Sequence, residues 1–408
     1  MQSHLVISVD ELWLKGKNRK SYLKAATDHI SAVFKNYHAG NFTYKIQAGR
    51  LYYLSKTEFT LELITALRRV PGLSYISRCI MLERMPENNL SNAFDIVLKE
   101  MEIYTDKNIS FRPIVRRVDK TFPETSVFVA REIGHLVLEK FPLAKVNLDQ
   151  ADVTIDFRIL LKHIAVTTKT YKGLGGLPWG TTGSAMTLLS GGFDSPVASF
   201  LMSKRGIKQS FVFFHAYPFV GREVLKKIKN LTSVLAGYQR QTHLYVVPFG
   251  DLQNLISQKS KEEYRTIIFR KLMIEIANLL CDQTRVESLI TGDCIGQVSS
   301  QTMANMYLMD KASRRMILRP LVGYNKMEIL SLAATIGTHD ISKLPHDDAC
   351  ALFASKTPVI NPNLEYWNSW DKEHDFSEEL KKALENTETY SVNMKGELFK
   401  KDFLSFDM

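Results

Sequence analysis

The chain has 408 residues, of which 45% are hydrophobic and 24% charged, and a formal net charge of +10 at pH 7. This composition is ordinary for a folded protein of two or three domains, and it excludes a disordered or low-complexity chain. No long uncharged apolar run occurs, so we expect no signal peptide, no membrane-spanning helix and a cytoplasmic location.

The first 170 residues predict two small α+β units. The first has strands over residues 4–9, 42–47 and 50–54 and helices over residues 19–37 and 61–69, and it ends at Pro71-Gly72. The second has helices over residues 90–101 and 124–141 and strands over residues 111–118, 151–160 and 163–170. A glycine-rich stretch, GLGGLPWGTTG at residues 173–183, then predicts a linker.

Most of the positive charge lies in these two units. Residues 1–180 carry 26 Lys+Arg and 18 Asp+Glu, which gives +8 of the overall +10. Such a basic region indicates a polyanionic partner that is bound through phosphate contacts. A merely solubilising surface remains an alternative reading of the charge.

From residue 184 onwards strands alternate with helices. We predict strands over residues 185–189, 210–215, 243–248, 288–292 and 316–320, with helices that include residues 195–206 and 325–337. This alternation is typical of an α/β domain with a parallel sheet, whose ligands bind beyond the carboxyl ends of the strands.

The sequence SGGFDSP at residues 190–196 stands at one such strand end. Pro196 suits the first position of a helix and Ser195 its N-cap, so that free N–H groups would face the loop and attract an anion. No lysine follows as in GxxxxGK[ST], which excludes a Walker A loop. The glycines and hydroxyls could hold a pyrophosphate, and Asp194 could help to hold Mg²⁺.

The four cysteines are scattered, with neither a CxxC pair nor metal-ligand spacing: Cys79, Cys281, Cys294 and Cys350. This pattern is typical of a reducing compartment, and it predicts neither a disulfide framework nor a metal site built from cysteines.

The string SGGFDSPVA resembles the PP-loop signature SGGxDS of ATP pyrophosphatases, which have an adenine nucleotide alpha hydrolase-like fold. Five further segments, together with this loop, resemble the ThiI family of tRNA sulfurtransferases, which make 4-thiouridine: GLGGLPWGTTG, HAYPF, TGDCIGQVSSQT, LRPLVGYNKMEI and IGTHDISKLPHDDACALF. ELWLKGKNR and RRVDKTFPETS are similar to the ferredoxin-like and THUMP domains of that family. The resemblance implies a ferredoxin-like domain at residues 1–60, a THUMP domain at 61–168 and a PP-loop domain at 169–408.

The resemblance also implies site residues, with ATP and Mg²⁺ as the bound groups. The nucleotide would contact Leu188, Leu189, Ser190, Gly191, Gly192, Ser195, Phe213, Phe214, Arg270, Gly292 and Gln301. Asp194, Lys326 and Cys350 would carry the chemistry. Ordinary sheet core for the leucines and phenylalanines, a solvated helix position for Arg270 and buried packing for Cys350 remain alternatives.

The basic N-terminal half is expected to bind tRNA. The candidates for phosphate contact are Arg112, Arg116, Arg117 and Lys120 around one strand and turn, and Lys15, Lys17 and Arg19 in a second cluster. A solvated surface is the alternative for both clusters.

The sequence departs from the family in three places. It ends at Met408 with no cysteine after Cys350, whereas longer members carry a rhodanese domain, to which the resemblance ties thiazole formation. We therefore expect sulfur from a separate cysteine desulfurase or other persulfide donor, and do not extend a role in thiazole synthesis to this chain. Phe213 stands where many relatives have histidine. Cys294 stands where they usually have serine, and it is either a conservative exchange, which we favour, or a further thiol that handles sulfur.

We thus expect a homodimeric enzyme that adenylates a tRNA uridine, at position 8, and replaces its O4 by sulfur. Two alternatives remain open: a tRNA-binding protein without catalysis, and a PP-loop ligase that acts on another substrate.

Overall fold

The computed structural model describes residues 3–38, 40–47, 49–84, 89–345, 355 and 357–401. The chain forms two compact units, Met1–Gly176 and Leu177–Met408. The boundary falls within the glycine-rich stretch, where Gly175, Gly176, Gly180 and Gly183 have positive φ. The finer division at residues 60 and 168 stays a prediction. No helix in the described ranges has the length and apolar character needed to cross a membrane.

The N-terminal unit is built on one eight-stranded sheet, with strand order β2-β3-β1-β4-β8-β7-β5-β6. Its strands are β1 Ser3–Ser8, β2 Phe42–Gln47, β3 Arg50–Ser55, β4 Tyr75–Glu83, β5 Ser110–Arg117, β6 Lys145–Val146, β7 Val153–Ile159 and β8 His163–Lys172. Its helices are α1 Arg19–Tyr37, α2 Leu61–Arg68, α3 Asn89–Met101 and α4 Ser126–Lys140.

Strand β4 was missing from the sequence prediction. It pairs with β1 on one side and β8 on the other, and so joins the two predicted α+β units into a single sheet. Its residues show no clean alternation of buried and exposed positions, and its register shifts between Arg78 and Ile80. A period of two residues was therefore not visible in its sequence.

The sheet curls strongly on itself. Arg50 on β3 contacts Asp156 on β7 at 3.2 Å, although β1, β4 and β8 lie between these two strands in the sheet. In a flat sheet four strand spacings amount to roughly 19 Å, which an arginine side chain cannot span. The curled face buries Tyr52 and Cys79 together.

The C-terminal unit has a seven-stranded sheet with the order β13-β12-β9-β10-β11-β14-β15. Its strands are β9 Ser184–Leu188, β10 Lys208–His215, β11 Gln241–Pro248, β12 Ser288–Ile290, β13 Ile317–Leu318, β14 Glu388–Asn393 and β15 Leu398–Lys401. Its helices are α5 Asp194–Lys204, α6 Arg222–Ala236, α7 Gly250–Lys259, α8 Arg265–Thr284, α9 Met303–Ala312, α10 Lys326–Ile336, α11 His339–Lys343, α12 Leu364–Glu373 and α13 Ser377–Glu385.

The predicted α/β class with a parallel sheet is confirmed. Strands β9 to β13 are parallel, and β14 and β15 extend the β11 edge in antiparallel pairing. These last two strands lie beyond residue 320, where no strand was predicted.

The strand order reverses beside β9. From β9 the chain adds β10 and β11 on one side, and it then places β12 and β13 on the other side. A crevice forms outside the carboxyl ends of parallel strands at such a switch point, and it is where ligands of open α/β sheets bind. The loop at residues 189–193, after β9, and the segment at residues 291–302, after β12, follow the two strands that flank this point.

Candidate functional site

The loop after β9 is closed by its own serines. The Ser190 backbone N–H donates to Ser195 Oγ at 2.8 Å, and the two serine hydroxyls lie 3.1 Å apart. Helix α5 begins at Asp194, and its N-cap Phe193 makes no side-chain capping bond. The prediction of Ser195 as N-cap was therefore wrong, because its hydroxyl bonds back to Ser190 instead.

Asp194 is held by groups from two other segments. Lys326 Nζ donates to its Oδ1 at 2.9 Å, and Gln297 Nε2 donates to its Oδ2 at 3.1 Å. Lys326 also lies over the Phe193 ring, 5.5 Å from the ring centroid. Two predicted catalytic residues are thus brought together at the loop.

The position of Lys326 follows from the start of its helix. Asn325 caps α10: its side chain accepts from the backbone N–H of Glu328, whose carboxylate accepts from the Asn325 N–H. This capping box fixes the first turn of the helix. Lys326, the first helical residue, is thereby held at the loop, with its side chain 43% exposed.

The two predicted glycines serve different purposes. A Cβ on Gly292 would lie 2.6 Å from Ser195 N and 2.8 Å from the carbonyl carbon of Asp194, so Gly292 lets β12 end directly against the start of α5. A Cβ on Gly192 would meet only Ser190 Oγ, at 3.6 Å, and its φ lies outside the left-handed region. Nothing within this conformation requires a glycine at 192, which is consistent with close approach of a ligand.

A buried ion cluster supports the segment after β12. Asp293, with its side chain 5% exposed, accepts from Arg270 Nη2 at 2.5 Å, from Arg319 Nε at 3.3 Å and from the Thr291 hydroxyl at 2.7 Å. Burial alone would raise the pKa of Asp293, but the charges of the two arginines and these hydrogen bonds outweigh burial and lower it. Asp293 is therefore ionised at neutral pH.

Arg270 is predicted to bind the nucleotide, and the structure places its guanidinium on protein groups. Besides Asp293, it donates to the Ser300 carbonyl and hydroxyl at 3.0 and 3.1 Å. It ties both ends of the segment after β12 to α8. Direct contact with phosphate stays a prediction.

Gln301 lies at the end of the same segment and is 9% exposed. Its Oε1 is buried and has no hydrogen-bond partner among the described residues. Buried amide oxygens are normally satisfied, so this atom is suited to accept a bond from a ligand.

The predicted hydrophobic contacts lie at adjacent strand ends. Leu188 ends β9 opposite Val212, and the Leu189 N–H donates to the Val212 carbonyl at 2.9 Å. Phe213 and Phe214 continue β10 beyond that point, and their buried side chains join different core clusters. The side chains are therefore core, and only their backbone remains for reading a ligand.

Cys294 is a buried thiol next to the loop. It is 2% exposed, and burial, together with the Asp194 charge, raises its pKa to about 11. Cys79 and Cys281 are also buried, and their pKa values are raised to about 12. Cys350 lies outside the described residues.

Three charged residues of the C-terminal unit were missed by the sequence analysis: Asp293 and Lys227, which are buried, and Arg319, which is half-buried. Asp293 and Arg319 follow closely after β12 and β13, inside segments already singled out, and this position was the available signal. Lys227 falls on the apolar face of α6 with Val224 and Leu231 at helical spacing. A lysine at such a core position indicates a buried cation.

The basic residues around β5 fall into two groups. Arg112 donates to the Leu148 and Asp149 carbonyls, each at 3.1 Å, and Arg117 donates to the carbonyls of Phe122 and Glu124. These two guanidinium groups hold turns of their own unit.

The exposed members of the predicted basic clusters are Arg116, Lys120, Lys17 and Arg19. Lys15 is half-buried and lies over the Tyr22 ring. Whether any of these residues contacts a phosphate stays a prediction.

Models of known protein families match the chain in three stretches. They are the ThiI ferredoxin-like domain at residues 4–77, the THUMP domain at residues 90–169 and the thiamine biosynthesis protein (ThiI) at residues 180–376.

Full-length relatives cover almost the whole chain. The probable tRNA sulfurtransferase of Clostridium kluyveri is 32% identical over 390 residues, which are 95% of this chain and 99% of that protein. The protein of the same name from Brevibacillus brevis is 32% identical over 393 residues, 96% of each chain.

Among solved structures, a 4-thiouridine synthetase in complex with RNA and bound ATP matches with a TM-score of 0.85 and 26% identity, over 96% of this chain and 100% of that one. PH1313 from Pyrococcus horikoshii matches with a TM-score of 0.61 over 82% of this chain and 99% of that one. At 20% identity the second match supports the fold alone.

Proposed function

The chain belongs to the ThiI family of tRNA sulfurtransferases, and on that premise we propose that it is an ATP-dependent tRNA uracil 4-sulfurtransferase. It adenylates a uridine of tRNA, at position 8, and replaces O4 of that uridine by sulfur to give 4-thiouridine. The observation that carries this proposal is the pairing of Asp194 with Lys326 at a PP-loop that stands at the switch point of the sheet.

The site has the features that a nucleoside triphosphate needs. The first N–H groups of α5 lack partners within the helix and face anions favourably. Gly192 leaves the space of a side chain free, and Gln301 Oε1 is a buried acceptor without a partner among the described residues. We propose that the phosphates bind along the loop at residues 190–195 and that the backbone near Leu189 and Phe214 meets the base.

Mg²⁺ fits the same loop. This ion usually binds through one or two carboxylates together with the phosphates of its substrate, and Asp194 supplies such a carboxylate. Both oxygens of Asp293 already accept bonds from arginine or threonine, so we assign the ion to Asp194.

ATP supplies the leaving group that the uracil carbonyl lacks. Attack of O4 on the α-phosphorus breaks its bond to the bridging oxygen, and pyrophosphate departs. The Lys326 ammonium, adjacent to Asp194, would stabilise negative charge that develops on the phosphates. A sulfur nucleophile then adds at C4, and AMP leaves with the former O4.

The sulfur step needs groups beyond the nucleotide site. We propose that a separate cysteine desulfurase or another persulfide donor brings the sulfur. Either Cys350 carries it as a persulfide, and an external thiol cleaves the S–S bond that forms to C4, or the Cys350 thiolate cleaves the S–S bond between the donor and C4. The second route leaves Cys350 in a disulfide with the donor, which an external thiol then reduces. A thiolate is required for either role. Cys294 is unsuited to it, because burial raises its pKa to about 11.

The N-terminal unit would hold the tRNA. We propose that its exposed basic residues contact phosphates, since structured RNA is recognised by shape and backbone, with the target base turned out for chemistry. We further propose a homodimer that acts in the cytoplasm, together with its tRNA.

The experiment is an assay of pyrophosphate release with unmodified tRNA, coupled to mass spectrometry of the tRNA. The wild type should release pyrophosphate only when tRNA is present, and Asp194→Ala should release none while it binds tRNA as tightly. tRNA binding without release would favour a non-catalytic binding protein. Release with a small molecule in place of tRNA would favour a ligase, and persistence of 4-thiouridine in cells that lack this protein would refute the assignment.

A further inference from the structure

The peptide group between Gly192 and Phe193 is held from outside the loop. The Ser342 hydroxyl, on α11, donates to the Gly192 carbonyl at 3.0 Å, across 150 residues of sequence. Ser342 is buried, with 4% of its surface exposed. The loop after β9 therefore has an anchor that belongs to a later part of the same unit.

The orientation of this peptide decides whether the loop directs an N–H group or a carbonyl oxygen at a bound anion. In a planar trans peptide the C=O and the following N–H point in opposite directions. While Ser342 holds the Gly192 carbonyl towards α11, the Phe193 N–H points away from α11. This N–H immediately precedes the first turn of α5, where backbone donors lack helical partners and bind anions.

Gly192 makes the anchor necessary. Without a Cβ, glycine crosses readily between regions of φ and ψ that other residues avoid, and a Cβ at Gly192 would contact only Ser190 Oγ, at 3.6 Å. The peptide could therefore turn over and direct a carbonyl oxygen, instead of an N–H, at an anion. The hydrogen bond from the Ser342 hydroxyl to the Gly192 carbonyl favours the observed orientation, because the rotation breaks it.

Ser342 is in turn fixed by a buried lysine. Lys227 Nζ, on α6, donates to the Ser342 carbonyl at 2.8 Å and to the Leu344 carbonyl at 2.7 Å. Lys227 is 3% exposed, and burial lowers its pKa. Ser342 lies in the last turn of α11, where carbonyls lack partners within the helix, and Leu344 directly follows the helix. The ammonium satisfies both carbonyls and so sets the position of α11.

We propose that Ser342 and Lys227 are positioning residues of the nucleotide site, which lock the Gly192–Phe193 peptide so that the Phe193 N–H faces a phosphoryl oxygen of ATP. The proposal rests on the proposed function, because it takes ATP as the ligand of this loop. Neither residue touches the nucleotide itself. Their action passes through the backbone of the loop.

The first test is Ser342→Ala, with Lys343→Ala as a matched control one residue along the same helix. The loss of one oriented donor to a charged phosphate should raise the KM for ATP about tenfold or more. The KM for tRNA should not change, since the N-terminal unit is untouched. Lys343→Ala should behave as the wild type, because Lys343 is exposed and the hydroxyl of Ser342 stays in place.

The second test is Lys227→Met, which keeps an unbranched chain of similar length, with Lys226→Met on the exposed face of the same helix as its control. The expected result is again a raised KM for ATP. If Lys227→Met does not fold, the Ser342→Ala result alone decides. A KM for ATP within twofold of the wild type in folded Ser342→Ala would overturn the proposal.

Direct titration of the free protein with a non-hydrolysable ATP analogue separates this proposal from the proposed function. If the wild type binds no nucleotide, the proposed function fails, and the positioning role of Ser342 and Lys227 fails with it. If the wild type and Ser342→Ala bind the analogue equally, only the positioning role fails. A weakened affinity for the analogue in Ser342→Ala, with an unchanged unfolding midpoint, supports the positioning role.

Discussion

Lys326 Nζ lies 2.9 Å from Asp194 Oδ1, so that the first residues of two helices 132 positions apart meet at one loop. The carboxylate keeps the ammonium at the edge of the crevice, where 43% of the lysine side chain is still exposed. A cation held in this way is available to a phosphate without prior rearrangement.

Lys326→Met should therefore slow chemistry more than binding. Loss of one preorganised group that stabilises the charge developing in the transition state lowers the rate by about 10²–10³-fold. The kcat for pyrophosphate release should therefore fall by about that factor. Lys382→Met, on the exposed face of α13, is the control for loss of one positive charge. A kcat within threefold of the wild type in Lys326→Met would remove this residue from the mechanism.

The two glycines should respond in opposite ways to alanine. In Gly292→Ala the new methyl group would overlap Ser195 N, and we expect the free energy of unfolding to fall by about 1–3 kcal/mol. Gly192→Ala should leave that free energy nearly unchanged but weaken ATP binding, because the methyl occupies space that a ligand needs. Chemical denaturation and an ATP titration of both variants test this contrast, and equal stability of the two would contradict it.

The ionised Asp293 should make the free energy of unfolding fall at acidic pH. Its folded-state pKa is lowered, so it contributes stability that is fully present above the unfolded value of about 4 and is lost as pH falls through the folded pKa. Asp293→Asn removes that contribution, and breaking such a buried pair costs about 3–5 kcal/mol at neutral pH. Urea unfolding at a series of pH values should show the variant and the wild type converging below pH 4, and a constant difference would refute this assignment.

Substitution of Cys294 and substitution of Cys350 should affect sulfur transfer differently. A thiol with a pKa of about 11 is ionised to about one part in a thousand at pH 8. Cys294→Ser should therefore keep most of the 4-thiouridine formation, whereas Cys350→Ser should lose sulfur transfer but keep pyrophosphate release. Quantification of the modified nucleoside by mass spectrometry decides, and a block in Cys294→Ser would make that thiol a sulfur handler.

The basic residues around β5 should differ in whether their loss weakens tRNA binding or stability. Arg116→Ala with Lys120→Ala should weaken tRNA binding and lower the slope of log K against log salt by about 1 for each phosphate that is no longer neutralised. Arg117→Ala should instead destabilise the N-terminal unit, because it leaves the Phe122 and Glu124 carbonyls without their donor. Binding at several salt concentrations and thermal unfolding distinguish the two, and an unchanged salt slope would contradict the first expectation.

The sequence predicted most of the helices and strands that have a clear local pattern. The helix Arg19–Tyr37 has the predicted bounds, and the strands that flank the crevice were placed within one or two residues. The α/β class followed from the alternation of strands and helices, whereas phosphate binding by the loop at residues 190–195 stays a prediction from its glycines and serines.

Part of what the sequence missed depends on partners far along the chain. Ser342 bonds to Gly192 of the loop across 150 residues, and Lys227 bonds to Ser342 across 115 residues. No local spacing reveals such contacts. The role of Ser195 was misassigned because a serine before a proline is a good N-cap by local preference. Its bond to Ser190, across the closed loop, prevailed over that preference.

Strand β4 holds the two halves of the N-terminal unit in one continuous sheet. Residues 78–83 of this strand fall in neither matched range, yet β4 pairs with a strand of each. A truncation of the chain on either side of β4 would leave a strand edge whose backbone groups are unpaired and can pair with another chain. The ferredoxin-like part is therefore not a detachable module, and a truncation that removes it should yield aggregates rather than a smaller RNA-binding protein.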